Sequence, residues 1–412
     1  MKVYLRTYGC RANQYDTEAV RAMILSSGGE VSDNVADADY AVFNSCTVTS
    51  AAEADLRADV RAASRKNSRL RSVVMGCAAG VPGRDESTAA LATLPRVEAV
   101  VPGADLSAVA AALGIDRSRV DNRAAQTGAR ALLRIQDGCD EHCTFCATTI
   151  ARGASKSRAV GELVAEARHL SVTHPEIVIT GIHIGTYGRD IGESLSSLVS
   201  CLVDEVPAVR FRLSSIEATE VDHRLADLLL TDSRRVAPHL HAPLQSGSDR
   251  ILRRMGRHWY TAATYARAVE RFAGGETFAL SADVITGFPT ETEADHRATL
   301  DLIERLPFTS LHVFPYSPRP GTAALKLEPK VPNDTARKRA QDLRILADQK
   351  HAAYRASRVG RDCDVVVTER GKGLTEDYLS VRVPDSVPRR ARFSGMLSET
   401  NGTLTASFVS AG

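Results

Sequence analysis

Residues 137–149 read DGCDEHCTFCATT and place Cys139, Cys143 and Cys146 within eight positions. With three and two residues between them, one tight loop turns all three sulfurs inward. Thiolates in this number and spacing are metal ligands. Structural zinc is almost always closed by four ligands, commonly in two pairs with other spacings, and no fourth ligand stands nearby in the sequence. An iron-sulfur cube normally takes four thiolates, so three leave one iron open to something else. A structural zinc loop that borrows a distant fourth ligand is the alternative.

Three more cysteines, Cys10, Cys46 and Cys77, each close an apolar run: KVYLRTYGC, YAVFNSC and SVVMGC. These runs read as buried strands. Between them DTEAVRAMILSSGG and SAAEADLRADVRAASRK have the apolar spacing of helices packed on a sheet. Strand, helix, strand implies parallel strands with right-handed crossovers. In an open parallel sheet the carboxyl ends of the strands line one edge, where ligand sites form. Three cysteines far apart in sequence therefore converge. A lone free cysteine is usually a small buried hydrophobe. Three at equivalent strand ends, each beside glycine, serine or asparagine, point to a shared site.

The elements that must position the first triplet follow a linker, about Arg117 to Ala129. Strands are expected at ALLRIQD, EIVITGI, RFRLSSI, HLHAPL, LSADVITGF and LHVFPY, with helices such as GELVAEARHLSV, LSSLVSCLVDEV and ETEADHRATLDLIERL in the gaps. Six strand-helix repeats suggest a partial (β/α)6 barrel, with its chemistry at the C-terminal ends of the strands. Cys139, Cys143 and Cys146 follow the first of these strands. From Pro318 to Pro332 the chain reads as a wrapping connection. A charged helix follows, DTARKRAQDLRILADQKHAAYRASR, and from about Val359 alternating residues broken by turn signals suit a small antiparallel β-barrel.

The fold class is thus α/β with three expected domains: an open parallel α/β domain over 1–125, the partial barrel over 126–350 and the small antiparallel barrel over 351–412. The 412 residues suffice for that many cores. Hydrophobic content of 43 % and charged content of 25 % are those of an ordinary globular protein. A net charge of +2 means that any polyanion must be met by local basic patches. The N-terminus reads as a strand and a polar turn, with no signal core, and no apolar run approaches the roughly 20 residues of a membrane helix. A cytoplasmic chain without membrane partners is expected, in which the eight cysteines are ligands or catalysts and not disulfides.

The C-x3-C-x2-C loop after a first barrel strand, with Phe145 just before the last cysteine, resembles the radical S-adenosylmethionine (SAM) enzymes. The resemblance implies that SAM chelates the open iron and that an electron from the reduced cluster, at roughly −400 mV or below, cleaves it to methionine and a 5′-deoxyadenosyl radical. YGCRANQYDTE, NSCTVTSAAEAD and VMGCAAG extend the resemblance to the radical SAM methylthiotransferases over nearly the whole chain. That family implies two 4Fe-4S clusters. Cys139, Cys143 and Cys146 would hold the one that meets SAM, and Cys10, Cys46 and Cys77 an auxiliary one. The auxiliary cluster would carry an extra sulfur that a first SAM methylates, and the radical from a second SAM would open the substrate to the methylthio group. The chemistry then lies with clusters and SAM, so no catalytic side chain is named.

By the same resemblance Phe145, Thr180, Gly181, Ser214, Glu217, Gln245 and Ile285 would contact SAM. The usual Gly-Gly-Glu is absent from TGIHIGTYG. Polar residues ending barrel strands are otherwise ordinary caps. The C-terminal barrel resembles the TRAM module, an RNA-binding fold, with Lys372, Arg389, Arg390 and Arg392 offering phosphate contacts. RTYGCRANQYDTEA, NSCTVTS and HVFPYSPRPGT look most like the branch that converts N6-threonylcarbamoyladenosine-37 of tRNA to its 2-methylthio form. Arg11, Ala12 and Asn13 stand where the isopentenyladenosine branch usually reads Gln-Met-Asn, and Thr47, Val48 and Thr49 where it reads Ser-Val-Arg. A third branch acts on an aspartate of a ribosomal protein. ATTIARG departs from the first branch, which commonly carries a proline ahead of its Ala-Arg-Gly, although Arg152 and Gly153 are kept. A tRNA anticodon loop, a low-potential electron donor such as flavodoxin or ferredoxin, and a sulfur source are the partners implied. Rival readings are a non-catalytic, metal-holding RNA-binding protein and a radical SAM enzyme with a cobalamin-binding first domain. His183, His239, His241 and His312 read as structural histidines, and Cys201 and Cys363 as bystanders.

Overall fold

The computed structural model describes residues 1–47, 50–80, 85–116, 126–275 and 277–408, without the side chains of 50–51 and 85–88. Residues 117–125 of the expected linker, and Val48 and Thr49, lie outside the described residues. The chain forms two compact units. Met1–Thr127, Gln136–Lys156 and Ser317–Leu325 make the first, and Gly128–Ile135, Ser157–Tyr316 and Lys326–Gly412 the second.

In the first unit, strands β1 (Lys2–Thr7), β2 (Glu30–Ser32), β3 (Tyr40–Ser45), β4 (Arg71–Gly76) and β5 (Val97–Pro102) form one parallel sheet in the order β2-β1-β3-β4-β5. The central strands β3 and β4 are buried at every position after the first because both faces are covered. Ala41, Phe43 and Val74 share a core with Leu56, Val60 and Ala63 of α2 (Ser50–Lys66). On the other face, Val42, Val73 and Met75 pack with Val20, Met23 and Ile24 of α1 (Arg11–Ser26). Beyond α3 (Asp85–Ala92), helix α4 (Leu106–Leu113) adds Val109, Ala110 and Leu113 to that face. Each large side chain so buried contributes about 1.5–3 kcal/mol. The three expected strands are present, and β2 and β5 flank them. Because β1, β3 and β4 are neighbours, their carboxyl ends lie side by side.

The chain enters the second unit at β6 (Ala131–Arg134). It leaves for β7 (Gln136–Asp137) and the short helix α5 (Thr148–Arg152), and returns through β8 (Lys156–Ser157). There β6, β9 (Glu176–Thr180) and β10 (Arg210–Leu213) form a parallel sheet, as do β11 (His239–His241), β12 (Ala279–Thr286) and β13 (Ser310–Pro315). Single parallel bridges, Phe211 to Val236 and Ser215 to His241, continue the curve from one sheet to the other, which gives the six-stranded partial barrel. Helices α6 (Val160–Ser171), α7 (Leu195–Glu205), α8 (His223–Thr231), α9 (Asp249–Arg254), α10 (Ala262–Glu270) and α11 (Glu293–Arg305) alternate with the strands, and one continuous apolar core runs through strands and helices. Ser194, Asp222, Ser248, Thr261 and Thr292 each cap a helix by accepting from a backbone N–H of its first turn, worth about 1 kcal/mol apiece.

After α12 (Asn333–Arg358), strands β14 (Asp362–Glu369), β15 (Lys372–Thr375), β16 (Ser380–Arg382), β17 (Arg392–Thr400) and β18 (Thr403–Phe408) close into a small barrel in the order β14-β15-β16-β18-β17. Buried charge docks it on the central strands. Glu176 accepts from Arg210 Nε at 2.7 Å and Arg212 Nε at 2.8 Å, while Arg210 also reaches the Asp364 carbonyl at 3.1 Å and Arg212 the Thr375 carbonyl at 3.0 Å. Burial alone would raise Glu176, but the Arg212 and Arg210 guanidiniums outweigh it and hold the carboxyl well below the usual range. Among the described residues no helix is long and apolar enough to cross a membrane.

Candidate functional site

Cys10 is the N-cap of α1, three residues beyond the end of β1, while Cys46 and Cys77 directly follow β3 and β4. One buried side chain gathers this group. Asn13 donates to the carbonyls of Tyr8 (3.0 Å) and Ser45 (2.6 Å), and its Oδ1 faces Cys10 Sγ at 3.6 Å and Cys77 Sγ at 3.9 Å. Gly9 has φ +93°, and a Cβ there would lie 2.4 Å from Cys46 Sγ, so only glycine lets the two strand ends approach. Burial pushes the Cys77 thiol up to about 11; Arg152 opposes the shift, and the nearby Cys10 and Cys46 add to it. Arg152 Nε donates to Cys77 Sγ at 3.3 Å. Its other nitrogens donate to Asn13 Oδ1 at 2.8 Å, Asp16 Oδ2 at 2.7 Å and Asp137 Oδ1 at 2.9 Å.

The second triplet belongs to the same unit. Gly138 opens its loop with φ +73°, and a Cβ there would fall 2.0 Å from the Ala154 carbonyl. Gln136 braces the turn by donating to the Gly138 carbonyl at 2.6 Å and to Ser155 Oγ at 2.8 Å. Cys139 N–H donates to Gly153 O at 3.0 Å, Cys146 N–H to Cys143 O at 3.1 Å and Thr148 N–H to Cys146 Sγ at 3.4 Å. Cys139, Cys143, Cys146 and Phe145 are half-buried. In ATTIARG the stretch forms α5, and Thr149 Oγ1 donates to the Glu141 carbonyl at 3.0 Å, tying the helix to the middle of the cysteine loop.

The donor sets are all thiolate. None of the eight cysteines is in a disulfide. Among the described residues, the one trio of His, Cys, Asp or Glu donors lying within 4.8 Å of one another is His241, Asp283 and His312. Neither cysteine trio has a fourth thiolate beside it in sequence, where a structural zinc site is almost always closed by four ligands. Three thiolates in each group are a donor set that suits an iron-sulfur cube with one iron left to another ligand.

In the second unit the expected cofactor contacts fall at strand ends. Thr180 is the last residue of β9, where its carbonyl accepts from Ile135 N–H at 2.9 Å, and Gly181 follows it. Ser214 closes β10 and is buried. Glu217 pairs with Arg257, and its Oε2 has no hydrogen-bond partner among the described residues. Gln245 sits at φ +62°, a left-handed position unusual for a side chain of this kind, held because its backbone bonds to Asp283 O (2.8 Å) and Ile285 N–H (2.9 Å). Along β12, Asp283 and Ile285 alternate with the buried Ala282 and Val284, so they share the more open face.

Residues 2–101 match the model of a family described as uncharacterized protein family UPF0004, and residues 133–303 that of the radical SAM superfamily. A protein of Aquifex aeolicus named threonylcarbamoyladenosine tRNA methylthiotransferase MtaB is 33% identical, over 93% of this chain and 96% of its own length. Its Bacillus subtilis namesake is 34% identical over 93% and 88%. The chain is a radical SAM methylthiotransferase. An Erythrobacter litoralis protein named tRNA-2-methylthio-N(6)-dimethylallyladenosine synthase is also 32% identical, over 89% and 86%. Among solved structures, the radical SAM methyltransferase TsrM of Kitasatospora setae superposes with a TM-score of 0.56 at 16% identity, covering 78% of this chain and 76% of that one, which shows a shared fold.

For the methylthiotransferase the cofactors are SAM and two 4Fe-4S clusters. Its basic residues on the C-terminal barrel divide into two kinds. Lys372 and Arg389 are exposed, Lys372 beside Glu369 at 2.9 Å and Arg389 donating to Thr368 O at 3.0 Å. Arg390 donates to Gly128 O at 3.1 Å, and Arg392 is committed to Asp364 at 2.7 Å and Arg234 O at 2.6 Å. His183 pairs with Glu220 at 2.8 Å, and His239 stacks on Tyr378. His241 and His312 both meet Asp283 at 3.3 Å. Cys201 packs against the barrel core and Cys363 is buried in the small barrel. The residues the motifs left unnamed are Asp16, Asp137 and Asp283. Asp16 stands six positions after Cys10 and Asp137 two before Cys139, but nothing in one sequence marks either as a partner of Arg152.

Proposed function

We propose that this methylthiotransferase acts on tRNA, placing a methylthio group on C2 of N6-threonylcarbamoyladenosine-37. The observation that carries the reading is the pair of three-cysteine sites, Cys10, Cys46 and Cys77 at neighbouring strand ends and Cys139, Cys143 and Cys146 on one loop, in a chain alike over 93% of its length to proteins bearing that name. When bound, the clusters and SAM supply the radical and the sulfur. The chain's part is to hold and orient them. Asn13, Gly9 and Arg152 set the auxiliary site, while Gly138 and Gln136 shape the loop site. Phe145, Thr180, Gly181, Ser214, Glu217, Gln245 and Ile285 are the proposed SAM contacts. Glu217, with a buried carboxylate oxygen that has no hydrogen-bond partner among the described residues, suits a ribose hydroxyl, and Ile285, on the more open face of β12, suits an adenine ring.

In this reading residues 1–125 serve the auxiliary cluster, 126–350 the radical chemistry and 351–412 the RNA. Lys372 and Arg389 present the charge to phosphate, and Arg390 and Arg392 shape the surface that carries them. An unpaired anticodon loop suits such a site, because its bases can leave the stack and enter a pocket closed to duplex. The work belongs in the cytoplasm, with a flavodoxin or ferredoxin as electron donor and a separate sulfur source.

Nucleoside mass spectrometry of tRNA from cells with and without the gene tests the substrate. Loss of the methylthiolated threonylcarbamoyladenosine is expected. Loss of methylthiolated isopentenyladenosine, the substrate class in the Erythrobacter relative's name, would replace this reading by its sister. Unchanged tRNA would turn attention to the ribosomal protein. In the purified enzyme, Cys143→Ala should abolish SAM cleavage. Cys46→Ala should cleave SAM yet transfer no methylthio group, and transfer by that variant would contradict the assigned roles.

A further inference from the structure

Arg152 is the last residue of the helix that follows Cys146, yet its guanidinium serves the other cysteine triplet. The side chain is 1% exposed, as is its partner Asp16. Two of its nitrogens are used as a buried arginine ordinarily uses them, on Asp137 at 2.9 Å and on Asp16 and Asn13 at 2.7 and 2.8 Å. The third, Nε, donates to Cys77 Sγ at 3.3 Å. Burial works against its charge, but Cys77, Asp16 and Asp137 outweigh it, so Arg152 stays a cation beside a sulfur that is itself 5% exposed. A planar fork of five N–H groups can meet all of these partners at once, which a lysine cannot. The partners also come from separate elements. Asp16 and Asn13 lie on the helix capped by Cys10, Cys77 ends a strand, and Asp137 immediately precedes the loop of Cys139.

We propose that Arg152 is a positioning residue for the auxiliary cluster, raising its reduction potential through the charged N–H bond to the Cys77 sulfur while fixing the two cysteine triplets in one rigid group. The inference rests on the reading that Cys10, Cys46 and Cys77 hold that cluster. Hydrogen bonds to cluster sulfurs, net charge and exposure set iron-sulfur potentials, and a cation close to the sulfur favours the state with one more electron. The reaction gives that bias a use. Joining a methylthiolate to a carbon radical forms one C–S bond, breaks the sulfur's bond to iron and releases one electron. A raised potential makes the cluster that the sulfur leaves the natural acceptor.

The test uses the full chain carrying Cys143→Ala, so that only the auxiliary cluster gives a signal, with redox titration followed by electron paramagnetic resonance. Arg152→Gln should retain about four irons per chain and show a lower midpoint potential. The expected fall is at least the 59 mV that corresponds to a tenfold change in a one-electron equilibrium constant. Arg152→Lys, which keeps the charge and loses the fork, should lie between. An Arg152→Gln chain with four irons and an unchanged potential would overturn the proposal. Should that variant fail to take up iron, Arg152→Lys decides, an unchanged potential counting against the proposal and a lowered one for it. A Cys143→Ala chain that binds no iron would remove the cluster assignment itself, and the proposal with it.

Discussion

Gly138→Ala tests the loop site without touching a ligand. At φ +73° the new side chain pays the cost of a left-handed residue, about 1–2 kcal/mol. Its Cβ would stand 2.0 Å from the Ala154 carbonyl and 2.7 Å from that of Gly153, both of them backbone atoms. The 153–154 segment must therefore retreat by more than an ångström. That movement breaks the bond from Cys139 N–H to Gly153 O (3.0 Å) and disturbs the brace from Gln136 to Gly138 O (2.6 Å), each worth about 1 kcal/mol. The sum, roughly 3–4 kcal/mol, falls on a short loop with little apolar burial of its own. It should displace the Cys139 sulfur while leaving the sheet that carries Cys10, Cys46 and Cys77 intact. After anaerobic reconstitution the variant should hold about four irons per chain in place of about eight, and should cleave no SAM. A variant that keeps all its iron and its SAM cleavage would refute the claim that this glycine sets the geometry of the three sulfurs.

Two further outcomes concern the frame of the second unit. Glu176→Gln leaves the buried Arg212 without its counter-charge and Arg210 with Asp364 alone. Breaking such a cluster costs about 3–5 kcal/mol, or roughly 6–20 °C in the melting of a unit this size, and a loss under 2 °C in calorimetry would contradict the docking role. Burial, and then Asp377, raises Glu376 from 4.5 up to about 7. The folded chain thus keeps a proton that the unfolded chain releases above pH 4.5, and stability should fall between pH 4.5 and 7 by up to about 1.4 kcal/mol per unit. Glu376→Gln should flatten that slope in urea titrations run across the range. An unchanged slope would show that another group is responsible.

Much of this architecture could be read from the chain because its strongest signals are physical ones. KVYLRT, YAVFNS and RSVVMG each carry an apolar run because helices cover both faces of their sheet, and the cysteine after each run lies at the carboxyl end of its strand. The edge strands Glu30–Ser32 and Val97–Pro102 escaped notice because each pairs on one side only, and the first is three residues long. ALLRIQD looked like one strand but divides at Ile135, where Gln136 turns to brace the cysteine loop. The motifs sort six of the cysteines into two groups, whereas the side chains packed around them do not show in the sequence. Asn13 reads as part of a polar turn and Asp16 as the first residue of a helix, and Arg152 lies 136 positions from Asp16, a separation that no local pattern spans. Charge alone could not separate Lys372, which projects from the small barrel, from Arg392, which is tied to Asp364. Gln245 stands apart for its backbone, since a left-handed glutamine has no signature in the sequence.

The most direct measurement is the iron and sulfide content of three reconstituted chains: the native one, one with Cys10, Cys46 and Cys77 all changed to alanine, and one with Cys139, Cys143 and Cys146 so changed. Two cubes, each held by its own three sulfurs, require about eight irons in the first and about four in each of the others. About four irons in the native chain, or an unchanged count after either triple replacement, would contradict the account.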